Sequence, residues 1–369
     1  MIISRLELFN FRNYGYQDIE FAPDRNIITG RNAQGKSNLL EAVYFLSHLE
    51  SKRSPRLRDL VKEGEREASV RGLFLDRKAE VKLGVSFGGK GRRVEVNGRK
   101  LESATKAKGM VKCVMFDPDD LYMVKGDPSR RREFLEETAE EIGLLESEAI
   151  QRYRHVLRQR NAVLRLWEEK GSRLSAILEP WSSALAQWGS EVVRTRMGMV
   201  DWMEGAISET YREISGDNGE VRFKYAGTVN CEAGSSVEEI AREIREGLDR
   251  SADDEKRARC TLVGPHRDDV EIKVGGKEAR FTASQGEQRT VAYCMRVAQK
   301  RFIEKETGET PVLLLDDVLS EMDRGRREKV LELAGAGSQS IITTAEEPGE
   351  LASNGARVLR VEEGKVRVV

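Results

Sequence analysis

Apolar and polar positions divide the chain into strand-like ends and a helical middle. Between residues 2 and 29 the alternation is that of strands: Leu6 and Leu8 sit among polar neighbours, Ile19 and Phe21 do likewise, and Ile27-Ile28 runs into Gly30. Leu39, Leu40, Val43 and Leu46 then recur at helical spacing. Residues 68 to 101 return to strand-like alternation, and Asn97-Gly98 is a hairpin signal. That stretch reads as a β-subdomain without chemistry of its own. From Arg130 to about Ser215 the period is helical. Ile150, Leu157 and Leu164 repeat every seven, with Tyr153 and Trp167 near the second seam position. After Gly171-Ser172 a second stripe follows: Trp181, Leu185, Trp188, Val192, Met199, Met203 and Ile207. Two helices joined by a short break predict an antiparallel hairpin whose core is this stripe. The first helix is about 24 residues, roughly 36 Å long. From Thr261 the pattern turns to strand, then helix, then a wholly apolar strand at Val312 to Leu315, and Val358 to Val369 reads as a closing hairpin around Glu363-Gly364. The expected organisation is α/β: one domain of residues 1–118 and 258–369, split by a mostly helical arm, 119–257.

Charge adds little to this picture. Sixty-two basic residues face 63 acidic ones, a net charge of -1, so any contact with nucleic acid must come from a local patch. The candidates are Lys52, Arg53, Arg56 and Arg58; Arg130 to Arg132; and Arg152, Arg154, Arg158 and Arg160. Each group alone is also what a solvated face looks like. Cys113, Cys231, Cys260 and Cys294 form no CxxC pair, which argues against zinc and fits a reducing cytoplasm. No apolar run approaches the ~20 residues of a membrane span, and the first residues lack the pattern of a signal peptide. His266, with only His48 and His155 as company, reads as a hydrogen-bonded loop histidine rather than a metal ligand.

Three motifs carry chemistry. Gly30-Arg31-Asn32-Ala33-Gln34-Gly35-Lys36-Ser37 fits GxxxxGK[ST], between a strand and an amphipathic helix. Its backbone N–H groups would close on phosphate oxygens, Lys36 would reach the β- and γ-phosphates, and Ser37 would bind Mg²⁺. A plain glycine turn before a helix leaves Lys36 unexplained. The strand Pro311 to Leu315 ends in two acids. Asp316 would hold the Mg²⁺ shell and Asp317 would polarise the attacking water; a strand that ends at a polar turn is the bland alternative. Ser284-Gln285-Gly286-Glu287-Gln288 opens a helix with Val291, Met295, Ala298 and Phe302 on one face. Ser284 and Glu287 also make an ordinary capping box, but Gly286 costs roughly 0.5–1 kcal/mol inside a helix. A helix tip with a free hydroxyl is an anion site.

In this order GRNAQGKS, SQGEQRT and VLLLDDVLSEMD resemble the Walker A, signature, Walker B and D-loop (Ser320 to Asp323) of an ABC/SMC-type ATPase head. Within that superfamily FNFRNY at 9–14, FDPDDLYMVKGDPSRRREFL at 116–135 and TLVGPHRDD at 261–269 are similar to the RecF family of bacterial DNA-repair proteins. The resemblance spans nearly the whole chain. It implies an ABC-type P-loop head with a helical arm, ATP and Mg²⁺ as cofactors, and a homodimer formed on ATP. Walker A of one copy would face Ser284, Gln285, Gly286 and Glu287 of the other. Arg12 and Asn38 join the nucleotide-binding set, and Lys36 and Asp317 are the catalytic pair. Implied partners are double-stranded and gapped DNA and the RecR, RecO and RecA pathway of repair and the SOS response. Two departures, an aspartate at 317 for the usual glutamate and Ile341 to Ala345 without the usual histidine, imply weak ATP hydrolysis, a switch for which DNA is the expected stimulant. A transporter subunit and a long-armed nuclease subunit are the competing classes.

Overall fold

The computed structural model describes every residue except 77–79, 90, 167–172, 217–219, 318–323, 336, 347–348 and 353–354. Two compact units result: residues 1–120 with 299–369, and residues 121–298.

In the first unit the alternating segments form an antiparallel sheet in the order β2-β1-β4-β5-β6-β7. Its strands are β1 (Ile2–Phe11), β2 (Tyr14–Glu20), β4 (Glu67–Leu75), β5 (Glu80–Gly88), β6 (Gly91–Val96) and β7 (Arg99–Lys100). The apolar runs form a second sheet, β15-β14-β3-β13-β12-β8. It contains β3 (Arg25–Thr29), β8 (Cys113–Phe116), β12 (Val312–Asp316), β13 (Ser340–Thr344), β14 (Arg357–Glu362) and β15 (Lys365–Val368). All neighbours here are parallel except β14 and β15. β12 and β13 are buried at every position, as strands covered on both faces must be. Helix α1 (Lys36–His48) lies in the core shared by the two sheets, where Leu39, Leu40, Val43, Phe45 and Leu46 join Leu6, Phe11, Val70, Phe74, Leu314 and Ile341. Parallel pairing brings the carboxyl ends of β3, β12 and β13 to one edge: Asp316 pairs with Thr343, and Thr344 with Thr29. Ligands gather at such edges.

The second unit begins with α2 (Leu121–Lys125) and α3 (Pro128–Ile142). Its hairpin is α4 (Leu144–Arg165) against α5 (Arg173–Ser215). Arg160 meets Ser182, His155 meets Trp181 and Arg152 stacks on Trp188, so the helices run antiparallel. Leu185, Val192, Met199, Met203 and Ile207 are buried, which makes the stripe core. Trp167 and Gly171-Ser172 lie outside the described residues. The expected return to the head at 258 differs from the division observed. β10 (Asp269–Val274) pairs along its length with β9 (Val221–Ala226), and Thr261 and His266 bond to Arg160 and Tyr153 of the hairpin. These contacts place 259–298 with the arm, and the division falls within the helix α6 (Gln285–Thr307). Among the described residues no helix is long and apolar enough to cross a membrane.

Candidate nucleotide site

Between the end of β3 and the start of α1 lies Gly30–Gly35. Positive φ angles at Gly30 (151°), Ala33 (65°) and Gly35 (116°) bend it. A Cβ at Gly30 would stand 2.4 Å from the Val361 carbonyl oxygen, and one at Gly35 would stand 2.6 Å from Asn13 Nδ2. The loop therefore closes only because both positions lack a side chain. Its rear is tied down. Asn13 Nδ2 donates to Gln34 O (2.8 Å), the Tyr14 hydroxyl to Gly35 O (2.9 Å) and the Glu363 N–H to Gln34 Oε1 (2.7 Å). Asn38 Nδ2 donates to Asn13 Oδ1 (2.9 Å). Arg31, Asn32 and Ala33 stay exposed, and no side chain caps the first turn of α1. Its uncapped N–H groups and partial positive charge suit an anion.

Lys36 is 7% exposed, and its ammonium donates to Gly30 O (2.6 Å) and Arg31 O (3.0 Å). Burial holds its pKa below the ordinary lysine value, opposed by Asp317 and Asp316. The next residue links the loop to the acid strand: Ser37 Oγ donates to Asp316 Oδ1 at 2.7 Å. Thr343 Oγ1 donates to the same oxygen at 2.8 Å and accepts the Asp317 N–H at 2.9 Å. β12 stops at Asp316, and Asp317 takes a left-handed φ of 53°, which aspartate tolerates better than most residues. Hydroxyl and carboxylate oxygens at one point are a hard donor set that fits Mg²⁺. The Asp316 carboxylate is only 2% exposed, and its second oxygen, Oδ2, accepts from Arg53 Nη2 at 2.6 Å. Thr343 belongs to this constellation, although no motif marks it.

Arg12 sits in the same neighbourhood but is committed elsewhere. Nε and Nη2 donate to the two oxygens of Glu41 (2.8 and 2.6 Å), Nη2 also to Ser54 Oγ (2.9 Å), and Nη1 to Asp59 O (3.0 Å).

The model of the family RecF/RecN/SMC N terminal domain matches residues 2–367. A DNA replication and repair protein RecF from Pelotomaculum thermopropionicum is 36% identical over 99% of this chain and 100% of its own. Another, from Ligilactobacillus salivarius, is 33% identical over 99% and 97%. The chain belongs to the RecF family. Among solved structures, the recombination mediator protein RecF-ATP in the RecFOR pathway superposes with a TM-score of 0.92 at 32% identity, covering 100% of this chain and 97% of that one. A Smc head bound to the C-winged helix domain of ScpA gives 0.58 at 18% identity, over 100% and 97%, a likeness of fold. This RecF-family chain thus has the ABC-type ATPase head fold of that superfamily.

In this RecF-family chain Ser284 and Glu287, expected as signature residues, form a capping box. Ser284 N–H and Oγ donate to Glu287 Oε2 (2.8 and 2.7 Å), and Glu287 N–H donates to Ser284 Oγ (3.3 Å). Ser284 and Gln285 are exposed at the tip of α6, and Gly286 O accepts the Thr290 hydroxyl (2.9 Å). The expected D-loop, Ser320 to Asp323, lies outside the described residues. Several basic candidates for a nucleic-acid face are otherwise engaged. Arg160 is 2% exposed and bound to Glu255 (2.6 Å); Arg131 is 4% exposed and bound to Asp269 (2.6 Å). Lys52 pairs with Asp117 (2.9 Å) and Arg53 with Asp316 (2.6 Å). His266 accepts from the Tyr153 hydroxyl at Nδ1 (2.6 Å) and donates from Nε2 to Thr261 O (3.0 Å), the tautomer that a carbonyl partner requires.

Proposed function

We propose that this chain is a DNA-binding ATPase of recombinational repair and replication that closes as a homodimer on ATP. The observation that carries the reading is the bond between Ser37 of the phosphate loop and Asp316 of the acid strand, 2.7 Å long. The solved relative named as RecF-ATP, alike over the whole chain, supports ATP as the nucleotide. Gly30 to Gly35 bind the phosphates through their N–H groups, with Asn38 as a flanking contact; Arg12 would join them only by leaving Glu41. Lys36 exchanges its two carbonyl partners for phosphate oxygens, a stronger charge-assisted bond. Ser37 and Asp316 hold Mg²⁺. When bound, the ion neutralises charge on the terminal phosphates. Asp317 orients the attacking water. With one methylene fewer than glutamate, it suits slow turnover, and DNA is the expected stimulant.

In the dimer Ser284 to Glu287 would grip the other copy's triphosphate. Hydrogen bonds to charged groups contribute about 1.5–3 kcal/mol each. Two per site at two sites give about 6–12 kcal/mol, against the roughly 5.5 needed to move an equilibrium from 1:99 to 99:1. The closed form would hold double-stranded or gapped DNA through backbone phosphates, with a steep loss in salt. Arg56, Arg58, Arg130, Arg152, Arg154 and Arg158 are exposed and remain as basic candidates on the surface. Partners in this reading are RecR and RecO, with RecA loading and the SOS response downstream, in the cytoplasm. Sedimentation with ATP tests it: wild type dimerises, Lys36→Met fails to bind nucleotide, and Ser284→Arg binds ATP but stays monomeric. A dimer of Ser284→Arg refutes the shared site.

A further inference from the structure

Asp316 divides its oxygens between two kinds of partner. Oδ1 takes the hydroxyls of Ser37 (2.7 Å) and Thr343 (2.8 Å), while Oδ2 takes Arg53 Nη2 at 2.6 Å. Arg53 is aimed by a built turn. Ser51 Oγ accepts the N–H groups of Arg53 (3.1 Å) and Ser54 (2.9 Å) and donates to Glu41 Oε1 (2.6 Å). Glu41 is 2% exposed and is held from its other side by Arg12, which also bonds Ser54 and Asp59. The backbone of 51–54 is thus fixed to α1, and the guanidinium reaches from it to the acid strand.

We propose that Arg53 is a resident counter-cation of the metal-binding carboxylate, and that it and the divalent ion exclude one another. A guanidinium on Oδ2 takes the lone pairs that a metal or its water would use, and two cations at that distance repel. Because the clamp of Arg12, Glu41 and Ser51 holds the backbone, the exchange is a rotation of the Arg53 side chain, which is already 39% exposed. The buried carboxylate is never left without a positive partner, and free metal is kept off until phosphate oxygens add their own charge to the site. The inference rests on the assignment of Asp316 as a metal ligand made above.

Mn²⁺ titration of the full chain without nucleotide, followed by electron paramagnetic resonance, tests it. Arg53→Gln and Arg53→Ala each tighten Mn²⁺ binding by about tenfold or more, the size expected from removing a charged hydrogen bond. Arg53→Lys, which keeps the charge, stays near wild type. Unchanged affinity in both neutral variants overturns the proposal and leaves the Asp316 assignment standing. Adding Asp316→Asn to Arg53→Gln returns the affinity to the wild-type level or below. A double variant that keeps the gain places the ion elsewhere and overturns both.

Discussion

His266 gives the arm a stability that acid removes. Burial pulls its pKa from the ordinary 6.5 to about 4, with Arg267 and Arg132 acting in the same sense against the Thr261 carbonyl and Asp268. The folded value lies below the unfolded one, so between the two the unfolded chain binds the proton first. The stabilisation is complete above pH 6.5, declines as pH falls, and is gone below about 4. Over the whole window the gap of about 2.5 corresponds to about 3 kcal/mol, and the step from pH 7 to pH 5 alone to about 2 kcal/mol. His266→Gln is the reference, since its amide keeps one acceptor for Tyr153 and one donor for Thr261 but does not titrate. All four tryptophans lie between residues 167 and 202, so their fluorescence during urea unfolding reports on the arm. Wild type loses about 2 kcal/mol more than His266→Gln between pH 7 and pH 5. Parallel pH profiles for the two proteins refute the argument.

Other expectations follow from the same contacts. Glu255→Ala leaves Arg160 charged and buried in the hairpin seam and costs about 3–5 kcal/mol by urea unfolding; replacing both by apolar residues of similar volume recovers most of it. Asp317→Asn lowers the single-turnover ATPase rate without weakening ATP binding, and an unchanged rate removes its role as the group that orients water.

The phosphate loop, the acid strand and the hairpin were legible because each rests on local pattern: glycines at fixed offsets, an unbroken apolar run, a 3.5-residue period. What stayed hidden is what distant segments bring together. Arg53 reads in the sequence as one of four cations in a basic run, and only the fold sets it on Asp316, 263 residues away. Thr343 lies in Ile341 to Ala345, the stretch without the usual histidine, and no local pattern marks its hydroxyl; strand pairing makes it the neighbour of Asp316. Arg160 interrupts a heptad seam as a surface residue would, yet Ser182, Thr261 and Glu255 complete its hydrogen bonds and let it be buried. The arm runs beyond residue 258 because β9 recruits β10, a pairing between segments more than 40 residues apart.

One strand stands between the phosphate loop and the acid. β13 separates β3 from β12, so it acts as a ruler whose width and phase set how Ser37 meets Asp316. Slipping it by a single residue would bring Ile342 opposite Asp316 and turn a methyl-bearing side chain to the oxygen that now takes a hydroxyl. Inserting or deleting one residue within 340–344 is therefore a heavier injury to this site than most replacements in the loop itself.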